Sequence, residues 1–250
     1  MADLSGQVAL VTGGAIGIGR GVALRLATAG AEIAVTYHSH SPDNLAASMA
    51  ELGKKALALP LDATRSQSVE EVVEETYDRL GQLDIVVANA GGLVGRVPLT
   101  TMSDEHWHAV LELNLCSAFY LVRASLKRIT KPGGRIVLMS SMAAHTGGSG
   151  GAGAYAAAKA GLLGLTRAFA KEVAPQGVTV NAVTPGLILG TPFHETFTPA
   201  EDQVATIARL PVGRSGAPAD VAGLIAYLAS PEAGFITGQV VNVSGGQELT

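Results

Sequence analysis

Tyr155 and Lys159 lie one helical turn apart in the run Ala154-Tyr155-Ala156-Ala157-Ala158-Lys159-Ala160-Gly161. On a helix, positions i and i+4 share a face, so the phenol and the ammonium can meet. A cation beside a phenol favours phenolate and is expected to lower the tyrosine pKa from about 10. A tyrosine tuned in this way exchanges a proton with an alcohol or a carbonyl near neutral pH. Ser141 follows the apolar run Arg135–Met139 and carries a hydroxyl able to donate to a substrate oxygen. Its neighbour Ser140 competes for that role. Asn114 sits inside a long helical stretch, where asparagine is a mediocre helix former. It is read either as a buried polar residue bonded to backbone or as part of the site.

A second constellation lies near the N-terminus, in Val8-Ala9-Leu10-Val11-Thr12-Gly13-Gly14-Ala15-Ile16-Gly17-Ile18-Gly19-Arg20. A short apolar run enters a glycine cluster, and a helical pattern follows, which is the context of a dinucleotide fingerprint. Gly13 is expected to make the tight turn, Gly17 to admit a pyrophosphate, and Gly19 to let helix and strand pack closely. The helix N-terminus then offers N–H groups and a positive dipole end to phosphates. The spacing is Gly-x-x-x-Gly-x-Gly, not the commoner Gly-x-Gly-x-x-Gly. In a chain with 31 glycines, a purely structural turn is the alternative.

Strand and helix patterns alternate along the rest of the chain. Strands are expected at Glu32–Thr36, Ala56–Leu61, Leu83–Ala88, Arg135–Met139, Val178–Val183 and Gln239–Val243. Helices are expected at Asp43–Leu52, Val69–Leu80, Asp104–Ile129, Tyr155–Ala174 and Ala219–Leu228. Repeated βα units predict an α/β fold, a parallel sheet with helices on both faces. No linker divides the chain, so 1–250 reads as one domain. Ligands of such sheets bind outside the carboxyl ends of the strands. Asp62, Asn89 and Ser141 fall there, and the glycine-rich stretch 147–153 reads as an active-site loop.

Hydrophobic residues make up 48% of the chain and charged residues 15%, the balance of a well-packed globule. The net charge is −4 with no basic run, which argues against nucleic acid or an anionic membrane as partner. His38, His40, His106, His108, His145 and His194 form no ligand spacing with Cys116, so no metal is expected. The first residues lack the pattern of a signal peptide, and no apolar stretch is read as membrane-spanning. A cytoplasmic location is the expectation.

Thr12-Gly13-x-x-x-Gly17-Ile18-Gly19, Asn89-Ala90-Gly91, Asn114, Ser141, Tyr155-x-x-x-Lys159 and Pro185-Gly186 resemble the motifs of the short-chain dehydrogenase/reductases, in that family's order. The resemblance runs from about Gly6 to Gly246. It is strongest to the branch holding 3-oxoacyl-acyl-carrier-protein reductases and sugar or polyol dehydrogenases. It implies a single-domain Rossmann-type, doubly wound sheet of about seven strands and a homotetramer. It implies hydride transfer at a nicotinamide, with Tyr155 exchanging the proton, Lys159 tuning it and bonding the ribose, and Ser141 orienting the reacting oxygen. Asn114 would hold a water in a proton relay through Lys159. The cofactor would lie against Gly13, Ile16, Gly17, Ile18, Gly19, Tyr37, His38, Ser39, Asp62, Ala63, Asn89, Ala90, Gly91, Pro185, Gly186, Ile188 and Thr191, besides Tyr155 and Lys159. Asn89 would also steady the sheet.

Departures from the family pattern bear on cofactor and substrate. Tyr37 stands where NAD-dependent relatives carry Asp, and His38 where many NADP-dependent ones carry Arg. Without a carboxylate to repel a 2′-phosphate, NADP(H) is favoured, with NAD(H) or dual use open. Ile16 occupies a glycine-loop position that is often basic in NADP enzymes. The segment 187–215 resembles the family's substrate lid. There the family threonine is expected five positions after Pro185, at Gly190; Thr191 comes one later. Phe193 and Phe197 could wall a substrate pocket. His194 and Glu195 are either polar contacts or incidental surface residues, and Arg96 and the Gly91-Gly92 loop could face substrate. The favoured substrate is a small polar carbonyl compound or secondary alcohol. A 3-oxoacyl thioester on acyl carrier protein is the alternative; Gln176 replaces one arginine expected for such docking, while Lys127, Arg128 and Lys131 remain. A non-catalytic cofactor sensor is the remote third reading.

Overall fold

Short runs of Val, Ile, Leu and Ala make the strands, because a parallel strand covered on both faces must be apolar on both. The computed structural model describes residues 2–129 and 132–248; Lys131 lies outside them. The strands are β1 (Val8–Val11), β2 (Glu32–Tyr37), β3 (Ala56–Pro60), β4 (Ile85–Ala88), β5 (Arg135–Met139), β6 (Thr179–Pro185) and β7 (Val240–Val243). They form one seven-stranded sheet in the order β3-β2-β1-β4-β5-β6-β7. Every pairing is parallel, with Val11 opposite Val35 on one side and Val87 on the other.

The helices are α1 (Gly17–Thr28), α2 (Asp43–Glu51), α3 (Ser66–Leu80), α4 (Asp104–Leu111), α5 (Ser117–Leu126), α6 (Ala143–Thr146), α7 (Gly153–Val173), α8 (Pro192–Phe197), α9 (Ala200–Ile207) and α10 (Pro218–Ala229). Side-chain alternation splits the core in two. Ala9, Val11, Ile85 and Val87 pack with Val22 and Leu26 of α1, Leu45 of α2 and Ile225 of α10. Leu10, Val86 and Ala88 pack with Val73 of α3, Leu121 of α5 and Leu162 of α7. The doubly wound α/β sheet with helices on both faces is therefore the observed architecture. The strand order reverses between β1 and β4, and a cleft opens at that switch point.

Two expectations need correction. The helix expected over Asp104–Ile129 carries a π segment at Glu112–Cys116 between α4 and α5. The segment 187–215 holds two short helices, α8 and α9. The helical stretch Asp104–Leu126, 23 residues long with a window of mean hydropathy 1.3, is long and apolar enough by composition to cross a membrane, contrary to the sequence reading. In the fold, 44% of that window is buried. Val110, Ala118, Leu121 and Val122 are buried, and a core helix packed on one face needs that same composition.

The start of α10 rests on Asp220. Pro218 occupies the first turn, and Ala217 at the N-cap has no polar side chain to cap the helix. The Asp220 carboxylate accepts the Ala217 N–H at 2.8 Å and a fork from Arg214 at 2.8 and 2.9 Å. The Arg214 bonds, then the Ala217 N–H, hold its pKa down at about 2. A depressed carboxylate pKa stabilises the fold above the unfolded value of about 4, and that contribution fades as pH falls toward 2. Both side chains face solvent, which screens the pair, so the contribution is about 1 kcal/mol. Asp220→Asn is predicted to lower the urea-unfolding free energy by about that much at pH 7. The gap should narrow between pH 4 and pH 2; a gap independent of pH would contradict this assignment.

Candidate active site

The cleft has a volume of about 850 Å³ and runs along the carboxyl ends of the strands. At one end lies the glycine turn. Gly13 and Gly17 adopt φ of +64° and +54°, a region that suits glycine. A Cβ on Gly19 would sit 2.3 Å from the Gly13 carbonyl oxygen and 2.6 Å from Asn89 Nδ2, so only hydrogen fits. Asn89 Nδ2 donates to the carbonyls of Thr12 and Gly13 at 2.9 and 3.2 Å. Thr12 Oγ1 accepts the N–H groups of Asn89 and Ala90 at 3.1 and 3.0 Å. The turn is thus bolted to the end of β4. The N-terminus of α1 has no side-chain cap and no acidic residue in its first turn, which leaves it open to an anion.

The end of β2 brings Tyr37, His38 and Ser39 to the cleft, together with His40, which the sequence reading had not placed there. Ser39 Oγ lies 3.2 Å from His40 Nδ1. Asp62 and Ala63 follow β3 and also line the cleft. Asp62 accepts the hydroxyl of Thr64 at 2.6 Å and its N–H at 3.0 Å, and these bonds hold its pKa low. The sequence reading also missed Thr64 as a lining residue. Its only signal was the Asp-x-Thr pattern of a side-chain-closed turn.

At the other end, Ser141, Tyr155 and Lys159 come together. Ser140 Oγ donates to the Lys159 carbonyl at 2.8 Å, which commits that hydroxyl to tying β5 to α7. Ser141 Oγ accepts the Ala143 N–H at 3.1 Å and shares a hydrogen bond with Tyr155. The Lys159 ammonium is buried and donates to the Met139 carbonyl at 2.8 Å. It stands 5.7 Å from the Tyr155 ring centre. The expected lowering of the tyrosine pKa is not observed. Burial pushes Tyr155 up to about 12 against the opposing Ser141 bond, and burial brings Lys159 down to about 8. Desolvation disfavours both charged forms, and the ammonium is bonded to a carbonyl.

Asn114 lies in the π segment at 1% exposure. Its amide donates to the carbonyls of Gly92 and Val110 at 2.8 and 2.9 Å and accepts the Gly92 N–H at 3.0 Å. It does not line the cleft but abuts it through Gly91. A Cβ there would meet Asn114 Oδ1 at 2.8 Å and Lys159 Nζ at 3.2 Å. Ala90, Gly91, Ile16, Ile18 and Pro185 line the cleft. Gly186 and Ile188 do not. Gly186 packs against Ser244, and Ile188 is buried beneath Gly216. Gly190 has φ of +70°, and this turn brings the displaced Thr191 to the cleft, opposite Gly17.

Helix α8 lines this end with Pro192, Phe193, His194, Thr196 and Phe197. The Phe193 ring lies 5.9 Å from that of Tyr155 and 5.5 Å from that of Phe197. His194 lines the cleft, bonds Thr198 through Nδ1 at 2.9 Å, and has its pKa lowered by burial. Glu195 is exposed and does not line the cleft. Arg96 does not line it either. Its guanidinium donates to the Phe197 carbonyl at 3.1 and 3.3 Å and to the Gly150 carbonyl at 3.2 Å. It thereby straps lid and glycine-rich loop together. Arg128 bonds both carboxylate oxygens of Glu74, and Lys127 lies 3.5 Å from Glu70. Among the described residues, no three His, Cys, Asp or Glu side chains cluster as metal ligands.

A family model described as enoyl-(acyl carrier protein) reductase matches residues 13–248. The 3-oxoacyl-[acyl-carrier-protein] reductase FabG of Vibrio cholerae is 41% identical over 99% of both chains. The chain belongs to the short-chain dehydrogenase/reductase family. Among solved structures, a dehydrogenase/reductase from Sinorhizobium meliloti superposes with a TM-score of 0.93 at 33% identity, covering 99% of this chain and 97% of that one. A short-chain dehydrogenase from Burkholderia cenocepacia in complex with NADP gives 0.90 at 33%, covering 98% of each. Membership makes the chain an NAD(P)-dependent oxidoreductase. In this short-chain dehydrogenase/reductase, Arg96→Ala is predicted to raise KM for substrate about threefold to tenfold, because charge-assisted bonds to the lid are lost. NADPH affinity measured by calorimetry should not move. An unchanged KM would show that the strap is dispensable.

Proposed function

We propose that this enzyme reduces the carbonyl of a small substrate to a secondary alcohol with NADPH, and runs the reverse oxidation with the same groups. The observation that carries this reading is the convergence of Ser141, Tyr155 and Lys159 in one cleft whose far end is the uncapped N-terminus of α1. The glycine turn suits a dinucleotide: Gly13 and Gly17 take positive φ, and the α1 N-terminus that follows has no side-chain cap and no acidic residue in its first turn. In this reading Gly13, Ile16, Gly17, Ile18 and Gly19 hold the pyrophosphate. Asp62 and Ala63 would hold the adenine end, and Asn89, Ala90, Gly91, Pro185 and Thr191 the nicotinamide end, of a bound dinucleotide. Gly186 and Ile188 act only through the backbone that carries Thr191.

NADP(H) is favoured over NAD(H). The cleft carries no carboxylate at Tyr37, His38 or Ser39, so nothing there repels a 2′-phosphate. The Burkholderia cenocepacia neighbour, which is in complex with NADP, supports the same choice.

The nicotinamide supplies the hydride when bound. The chain supplies the proton and the electrostatics. With its pKa near 12, Tyr155 is a neutral acid at physiological pH, suited to donate to a carbonyl oxygen. Ser141 shares that hydrogen bond and positions the same oxygen. Lys159 adds positive charge beside the ring while protonated, and Asn114 fixes the backbone against which Lys159 rests. This reading makes 1–250 one catalytic domain with a lid at about 187–215. A homotetramer in the cytoplasm is the proposed state; exposed Leu99, Val204 and Phe235 offer apolar surface for association.

A second reading, reduction of a 3-oxoacyl group on acyl carrier protein, is supported by the Vibrio cholerae relative. The pairing of Lys127 and Arg128 with Glu70 and Glu74, and glutamine at 176, weigh against an acidic docking partner. Rate with a carrier-bound substrate against its free thioester analogue separates the two readings.

Tyr155→Phe is predicted to lower kcat about 10²–10⁴-fold, the usual contribution of a positioned acid. NADPH affinity should be retained; unchanged turnover would overturn the mechanism. Lys159 is charged below pH 8 and neutral above it, so kcat/KM for reduction should fall as pH rises through about 8. A flat profile from pH 7 to 9.5 would count against the role given to Lys159.

A further inference from the structure

We propose that the substrate end of the cleft selects an uncharged ketone whose larger substituent is apolar, an aryl ring or a short alkyl chain, and that Phe193 does the selecting. The inference rests on the carbonyl-reduction reading and names the substrate class of that same site. Phe193 stands beside the Tyr155 ring, tilted 38° to it at 5.9 Å, and Phe197 backs it at 5.5 Å. Phe193 and Phe197 are half-buried and line the cleft, and Leu113 adds a third apolar contact. A carbonyl held by Tyr155 and Ser141 therefore presents its substituent to a ring.

Charge on the substrate has no partner at this end. Among the described residues lining the cleft, Lys159 is the only Lys or Arg, and Asp62 the only acid. Lys159 Nζ is bonded to the Met139 carbonyl, and Asp62 is closed onto Thr64 near the other end. A keto acid or a phosphorylated sugar would bury an anion unpaired, which is costly. A polyol would need several hydrogen-bonding side chains. Beyond Ser141, the polar side chains of 191–197 that line the cleft are Thr191, His194 and Thr196; Thr191 already donates to the Ile188 carbonyl and His194 shares Nδ1 with Thr198. Arg96 fixes the Phe197 carbonyl, so the aromatic wall is held in place and not a surface that drifts.

The test compares methyl ketones that differ only in the second substituent: phenyl, n-propyl, carboxylate and polyhydroxyalkyl. Each is reduced at saturating NADPH by wild type, Phe193→Ala and Phe193→Leu. Wild type is expected to favour phenyl and propyl over carboxylate and polyhydroxyalkyl by at least about tenfold in kcat/KM, the scale on which apolar pockets discriminate. Phe193→Ala should collapse that ratio. Phe193→Leu, which keeps an apolar wall if the alanine variant misfolds, should retain the propyl preference and lose the phenyl one. Equal or better turnover of the carboxylate or polyhydroxyalkyl ketone overturns the proposal, as does a ratio that survives Phe193→Ala. Turnover of none of the four by a protein that still binds NADPH overturns the carbonyl-reduction reading instead.

Discussion

Lys159 is 3% exposed, and its ammonium donates to the Met139 carbonyl at the end of β5. An ammonium so placed is costly to bury, and its surroundings are arranged to tolerate it. Ser140 binds the Lys159 carbonyl, so the strand end and the helix are joined twice, once through each residue's backbone oxygen. That double tie fixes the rotation of α7 against the sheet. Tyr155, one turn earlier, is then carried to Ser141, with which it shares a hydrogen bond. Gly91 completes the arrangement: only a glycine leaves room for both the lysine nitrogen and the Asn114 oxygen at van der Waals distance.

What was readable in the sequence was what depends on near neighbours. Val8–Val11, Ile85–Ala88 and Arg135–Met139 announce buried strands because each alternates between two cores. The glycine turn is readable because positive φ and a missing Cβ demand glycine at fixed spacing. The spacing of Tyr155 and Lys159 correctly put both on one side of α7, yet it misjudged the tyrosine's acidity. Acidity depends on burial and on where the ammonium points, and both are set by β5, a strand distant in sequence. The π segment was invisible for a related reason. One widened turn at Glu112–Cys116 leaves no mark in composition, and its purpose, aiming Asn114 at Gly92, is a tertiary matter.

The lid shows how small departures from a pattern are absorbed. Thr191 falls one place late, and Gly190 takes a left-handed conformation that returns it to the cleft. The residues placed at Gly186 and Ile188 are drawn into packing, since the chain must be anchored before it can cross the cleft mouth. Helices α8 and α9 are six and eight residues long, too short to be stable alone, and their order comes from tertiary contacts. The Arg96 strap and the Phe193 ring supply such contacts from two sides.

The raised tyrosine and lowered lysine pKa values have one cause, and that cause links the lid to the chemistry. Burial favours neutral Tyr155 and neutral Lys159 together, and at the tyrosine Phe193 is part of the cover. A neutral tyrosine is an acid ready to donate, whereas a neutral lysine no longer helps the phenolate that donation leaves behind. A working pH must therefore lie below the lysine's value and well below the tyrosine's. Water admitted beside Phe193 would relax the tyrosine shift and make that group a readier base, whereas Lys159 is buried against Met139 and Gly91, away from that ring. Reduction is thus favoured by a closed cleft, and proton removal from an alcohol by a wetter one. On this argument the packing of one aromatic ring influences the direction in which the same three side chains work best.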